Sequence, residues 1–174
     1  MTLLHGLLLA VLAQRIGELV YARRNEARLK AAGGIEHGAG HYPLVVGLHG
    51  AWLLALWLLV PASQPVDWWL LGAFGLAQLG RLWVLASLGR WWTTRVITLP
   101  GAPLVRRGPY RYLRHPNYLV VAAEIALLPL AFGAWEIALV FSVLNAVLLA
   151  WRIRIENAAL ADRRPLGVSA PAEK

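Results

Sequence analysis

Apolar positions in this chain come in five runs, separated by segments where Arg, His, Gly and Pro accumulate. The runs lie near Leu3 to Tyr21, Tyr42 to Val60, Trp68 to Leu88, Tyr118 to Phe132 and Trp135 to Arg152. A helix needs about 20 residues to cross a hydrocarbon core of roughly 30 Å. The pattern therefore predicts an all-α integral membrane protein with about five transmembrane helices. The fourth run is short and carries Glu124 and Pro129, which predicts a kinked helix facing protein rather than lipid. Arg15 and Glu18, three residues apart in the first run, are placed to pair on one helix face.

Charge gives an independent test, because cytoplasmic loops collect Lys and Arg beside the ends of spans. Arg23, Arg24, Arg28 and Lys30 follow the first run. Arg90, Arg95, Arg106, Arg107, Arg111 and Arg114 follow the third, and Arg152, Arg154, Arg163, Arg164 and Lys174 close the chain. The other two connections, "PASQPVD" and "FGAWE", contain no Lys or Arg. This asymmetry predicts an N-terminus outside and a C-terminus in the cytoplasm. Arg15 and Arg81 sit near the span ends that lead into basic loops, where they are expected to snorkel.

Composition narrows the classes further. The chain has 174 residues, 59% of them hydrophobic and only 15% charged, which excludes an ordinary soluble domain. The net charge of +8 is explained by topology and by anionic lipid, so no nucleic-acid partner is expected. Without cysteine there is no disulfide, thiolate metal site or cysteine nucleophile. The first run lacks a basic leading segment and contains Gln14, Arg15 and Glu18, so it reads as a mature helix rather than a signal peptide. No fixed repeat and no large hydrophilic segment interrupts residues 1–174, which are expected to form a single membrane domain.

Polar chemistry is confined to three segments that this topology returns to one face. In "RRNEARLKAAGGIEHGAGHYP" a helix is expected to continue through Lys30 and to break at Gly33 and Gly34. Its Glu36, His37 and His41, with His49 beyond, match no zinc spacing. No metal is expected there, and Glu36, His41 and His49 are expected to meet substrate. The tryptophan pairs at 68–69 and 91–92 read as interfacial anchors. In "GPYRYLRHPNY", Pro116 biases His115 away from helical geometry and can itself occupy the first turn of the fourth helix. Arg114, His115, Asn117 and Tyr118 then gather at a helix entrance, where free N–H groups can receive an anion. "RIRIEN", residues 152–157, returns to the same face one helical hairpin later.

With "RHPNY" followed by "RIRIEN", the chain resembles the isoprenylcysteine carboxyl methyltransferase family, most strongly from about Arg95 through Leu160. The resemblance implies a small multi-spanning enzyme that uses S-adenosylmethionine, and related phospholipid methyltransferases share the acidic ending. It implies a cofactor-binding and catalytic region at 90–160, built from the loop before helix 4 and the end of helix 5, and a short polar tail at 161–174. Cofactor contacts are implied for Arg95, Ala102, Pro103, Leu104, Val105, Tyr110, His115, Pro116, Asn117, Tyr118, Glu156 and Asn157. Arg152, four residues before Glu156 and hence on the same helical face, is implied to approach the substrate, and Arg152 and His115 are the catalytic candidates. These types suit such roles. A carboxylate accepts from ribose hydroxyls or an ammonium, Arg or His holds a carboxylate, and Tyr attracts a sulfonium.

Two departures bear on the acceptor. The second residue of the family's Glu-Glu pair is Asn157 here, and the ending is short, unlike that of the enzymes acting on prenylated proteins. The segments "RRNEARLKAAGGIEHGAGHYP" and "TTRVITLPGAPLVRRGPYRYLRHPNYL" together are more similar to a short bacterial branch, for which alkylpyrones or alkylresorcinols are implied. The expectation is methyl transfer to an oxygen, a carboxylate or acidic hydroxyl, of a lipidic or prenylated small molecule. A phenol would need deprotonation, for which His115, His41 or His37 could serve, or Arg could stabilise the oxyanion. A phospholipid amine methyltransferase is the alternative enzyme, a sterol-reductase-like protein a further one, and a membrane assembly or lipid-binding subunit the non-enzymatic reading.

Overall fold

The computed structural model describes residues 2–61, 63–102 and 104–161; Pro103 and the tail from residue 162 lie outside the described residues. Five α-helices follow in order, α1 (Leu3–Ala31), α2 (Tyr42–Leu59), α3 (Trp68–Leu88), α4 (Pro116–Ala131) and α5 (Trp135–Ala159). Two short strands, β1 (Ile35–His37) and β2 (Val96–Thr98), pair antiparallel with Glu36 opposite Ile97. The protein is thus an all-α membrane protein. Four of the helices are long and apolar enough to cross a bilayer, while α4, at 16 residues, is shorter.

Local chemistry sets the helix boundaries. Asp67 caps α3 by accepting from the backbone N–H groups of Trp69 and Leu70, at 2.9 and 3.1 Å. Pro116 opens α4 as expected, with His115 at φ −131° just outside the helix. α1 stops where Gly34 N–H reaches back to the Leu29 carbonyl at 2.8 Å, an approach so close that an added Cβ would lie 2.7 Å from that oxygen.

α1 and α5 are longer than their apolar runs. At 29 and 25 residues they extend about 43 and 37 Å, well beyond a hydrocarbon core of roughly 30 Å. Their overhanging turns stand at the end of the bundle that carries the basic loops. The other end is filled by a core including Leu4, Leu8, Trp52, Leu56, Phe74, Ile125 and Leu128. Burying such side chains against protein gives α4 an environment in which its length and Pro129 are tolerated.

Two expectations are corrected here. Arg15 and Arg81 do not snorkel; both turn into the bundle. Arg81 grips both carboxylate oxygens of Glu18 at 2.6 Å and reaches Glu124 at 3.1 Å, while Arg15 bonds Glu124 at 2.7 Å and Glu18 at 3.0 Å. Two cations and two anions neutralise one another across three helices, which is cheaper than carrying any of them alone among apolar side chains. The tryptophan pairs also differ. Trp68 and Trp69 are exposed, as anchors should be, but Trp92 is buried against Ala22 and Val84.

Candidate active site

The overhang of α1 holds the segment after α3 in place. Asn25 Nδ2 donates to the carbonyls of Gly89 and Trp92, at 3.2 and 2.8 Å. Glu26 Oε1 accepts from Thr94 N–H, Thr94 Oγ1 and Arg95 N–H, at 3.2, 3.0 and 3.2 Å. One carboxylate oxygen thereby pins two consecutive residues. The Thr94 carbonyl is left facing α5, where it accepts from Arg152 Nη2 at 2.7 Å.

Arg152 is the centre of the arrangement. It is buried at the point where α5 leaves its apolar run, and its Nε donates to the Tyr118 hydroxyl at 2.9 Å. Nη1 lies 3.4 Å from His41 Nε2. A guanidinium has five N–H groups, so these partners leave hydrogens on both terminal nitrogens for a ligand. The Tyr118 hydroxyl in turn donates to Glu156, one turn beyond Arg152 on α5. His115 stacks on Tyr118 with ring centroids 5.3 Å apart, bonds Asn157 Oδ1 at 3.1 Å through Nε2, and places Nδ1 3.8 Å from Glu156 Oε1. The sequence-expected group of His115, Tyr118, Arg152, Glu156 and Asn157 therefore meets at one place.

Nearby residues complete the surround. Pro116 is buried in the first turn of α4, and Asn117 next to it has a buried Oδ1 without a hydrogen-bond partner among the described residues. Tyr110 lies on the turn held close to α3 by Gly108, where a Cβ would strike Ser87. Burial, and then the charge of Glu156, push the Tyr110 phenol above its ordinary range, so it acts here as a neutral ring and donor. Leu104 and Val105 are half-buried in the preceding loop, as is Ala102, while Pro103 lies outside the described residues.

Three expected residues go elsewhere. Arg95 turns toward the first loop, bonding Glu36, lying 3.7 Å from Glu26 and stacking over Tyr42 at 4.4 Å from the ring centroid. Glu36 is held between Arg95 and Lys30, the latter at 2.5 Å. The Lys30 hydrogen bond first, and Arg95 next, hold the Glu36 carboxyl below its ordinary range, while Glu36 raises Arg95 further. His37 bonds Thr98 Oγ1 at 2.8 Å across the β1–β2 pair. These groups lock the first loop to the loop after α3; His41, buried beside Arg152, is the member of that loop that reaches the centre. Gly38, at φ +61°, permits this, since a Cβ would meet Ile155 of α5 at 2.7 Å.

Below Arg152 a cavity of about 270 Å³ runs between α1, α2, α4 and α5. Tyr42, Thr94, Asn117, Tyr118 and Arg152 form its polar mouth, and Leu12, Leu53, Val121 and Leu148 line its depth. His49, the remaining expected substrate contact, is on its wall. Leu12, Ile16 and Val46 line the cavity and are also exposed, so it meets the lipid-facing surface between α1 and α2. Tyr118 and Arg152 stand at the mouth, with His115, Glu156 and Asn157 on their far side.

Thr94, Asn25 and Glu26 were not anticipated from the sequence. The signal was available: Glu18, Ala22, Asn25, Glu26 and Leu29 share helical spacing, and all five are buried, so α1 keeps one inward face through its polar overhang.

The bundle of apolar helices thus places hydrogen-bonded Arg152, Tyr118 and Glu156 between a cavity and a polar cluster, the framework of a membrane protein. Residues 70–162 match the isoprenylcysteine carboxyl methyltransferase (ICMT) family, over half of the chain, and the protein belongs to that family. Membership implies a membrane methyltransferase. The chain is 44% identical over 161 residues to the uncharacterized protein YpbQ of Bacillus subtilis, covering 90% of this chain and 96% of that one. It is 29% identical over 161 residues to an uncharacterized protein of Haemophilus influenzae, covering 89% and 93%. No solved structure matches it at a significant level.

Proposed function

We propose that the protein transfers a methyl group from S-adenosylmethionine to an oxygen of a lipidic acceptor at the cytoplasmic face of the inner membrane. The observation that carries this reading is the position of Arg152, bonded to Tyr118 and Thr94 where the cavity meets the polar cluster. The residues beyond it suit the cofactor. Glu156 has an oxygen not used by Tyr118, Asn117 has a buried acceptor without a partner among the described residues, and Tyr110 and Tyr118 offer aromatic faces. Ala102, Pro103, Leu104 and Val105 would bound the cofactor from the preceding loop, with His115, Pro116 and Asn157 beside it.

S-adenosylmethionine, when bound, supplies a methyl already activated on sulfur, so the protein contributes mainly position and electrostatics. The apolar part of the acceptor occupies the cavity, entering between α1 and α2. The free N–H groups of Arg152 hold the acceptor oxygen and stabilise its negative charge, while Tyr118 and Thr94 prevent the guanidinium from turning away. A carboxylate arrives as a nucleophile. An acidic hydroxyl such as that of an alkylpyrone or alkylresorcinol is helped to ionise by the same cation. That cation disfavours an ammonium at the mouth, so oxygen acceptors fit better than a phospholipid amine.

The test uses the full chain in lipid nanodiscs with methyl-labelled S-adenosylmethionine and a lipid extract of the native host. Label should enter a lipid-soluble product, identified by mass spectrometry as an ester or ether. Absence of both cofactor binding and label transfer would overturn the reading.

A further inference from the structure

The cavity wall is polar at a second depth. His41 and Arg152 touch at 3.4 Å at the mouth. His49 lies eight residues further along α2, and Asn145 lies seven residues earlier along α5. At 1.5 Å per residue both stand about 10–12 Å below the mouth, at one level, and both line the cavity.

Their hydrogen bonds leave them facing it. His49 Nδ1 lies 2.8 Å from the Val45 carbonyl, which can only accept, so Nδ1 carries the proton and Nε2 keeps its lone pair. Asn145 is 3% exposed, and no described residue hydrogen-bonds its carboxamide. The arginines at this depth are different, because Arg15 and Arg81 are neutralised by Glu18 and Glu124. The level therefore offers one imidazole acceptor and one carboxamide beside an ion cluster without net charge, of which Arg15, Glu18 and Arg81 also line the cavity. A plain hydrocarbon chain would leave both groups unsatisfied.

We infer that His49 and Asn145 form a second recognition point, which selects an acceptor carrying a neutral oxygen function, a hydroxyl or a carbonyl, about 10 Å along its chain from the oxygen held at Arg152. A hydroxyl there donates to His49 Nε2 and accepts from Asn145 Nδ2. The inference rests on the acceptor lying in the cavity with its reacting end at Arg152.

The probes are a medium-chain fatty acid and its ω-hydroxy counterpart, whose hydroxyl falls at this depth when the carboxylate meets Arg152. Their affinities for the full chain in nanodiscs are measured by calorimetry. The hydroxy acid should bind about ten- to a hundredfold tighter than the plain acid of the same length. In His49→Leu with Asn145→Leu the order should reverse, and the wild-type ratio decides the matter even if that variant fails to fold. Equal affinities, preference for the plain acid, or no binding of either would overturn the inference. Binding of labelled S-adenosylmethionine, measured in parallel, reports separately on the methyltransferase reading, which can fail while the chain preference holds.

Discussion

Two groups of charged side chains lie within this bundle, and they are built on opposite plans. Arg15, Glu18, Arg81 and Glu124 close on one another, formally neutral, with the cations spent on the anions. Arg152 is held by neutral groups, a tyrosine hydroxyl, a backbone carbonyl and an imidazole, and keeps N–H groups to spare. Both sets are costly to bury. The first offsets that cost internally and so contributes to holding helices together. The second leaves part of it unmet by the protein, which under the proposed function is the part that a ligand would offset.

The comparison breaks most visibly at Arg81. Arg81→Ala leaves Glu18 with Arg15 as its one cation, beside the Gln14 hydrogen bond, and removes one of two cations from Glu124, and should destabilise the fold by about 3–5 kcal/mol. Unfolding in detergent, followed by circular dichroism, checks this. Replacing all four charged residues by apolar ones of similar volume should cost far less. If the two variants were equally unstable, charge compensation would not be what this cluster provides.

Arg152→Lys tests the other plan. A lysine cannot hold Tyr118 and the Thr94 carbonyl while presenting a planar pair of donors to an oxygen. Methyl transfer should fall about 100-fold, the scale expected on losing an oriented donor to developing charge, with unfolding changed by less than about 1 kcal/mol. Comparable losses in activity and stability would place Arg152 with the structural group.

The two plans were not equally legible in the sequence. The membrane class, the helix count and the meeting of "RHPNY" with "RIRIEN" could be read because apolar length, basic loops and a proline at a helix start act locally. Arg15 and Arg81 were misplaced because position along a span says how far a side chain is from water, not which helices it faces. Glu124 was the available clue, since an acid in a short helix needs a partner. Glu36 and Arg95, read from the sequence as substrate and cofactor contacts, pair with one another in the structure, which the sequence did not foretell; the antiparallel register of β1 and β2 that joins them links residues about 60 apart, beyond the reach of any local pattern. Thr94 takes part through its carbonyl, which no side-chain motif records.

That carbonyl leads to a smaller expected effect. Glu26→Ala removes the acceptor for two backbone N–H groups and one hydroxyl, letting the 94–95 segment drift and loosening Arg152. Methyl transfer should drop about tenfold, equivalent to about 1.4 kcal/mol, chiefly in kcat, while cofactor binding holds. Glu26→Gln, which retains one carbonyl oxygen, should recover part of the loss. An unchanged kcat in Glu26→Ala would show that Arg152 keeps its place without the α1 overhang.

The smallest effect lies outside both clusters, at Glu36, and pH isolates it. Its carboxyl is held below the ordinary value of 4.5 by Lys30 first and Arg95 next. A group whose folded value is depressed contributes stability that is present above its unfolded value and is lost as pH falls through the folded one. The unfolding midpoint of wild type should therefore exceed that of Glu36→Gln at neutral pH, and the gap should close as the medium is acidified below 4.5. Salt should narrow the neutral-pH gap too, because Lys30 is exposed. The buried cluster of Arg81 gives the contrasting result, since added salt reaches it poorly and should leave the Arg81→Ala deficit almost unchanged. A salt-sensitive Arg81 deficit would show that ions reach the cluster through the cavity that Arg15, Glu18 and Arg81 help to line, and the contrast between a compensated cluster and an exposed surface pair would disappear.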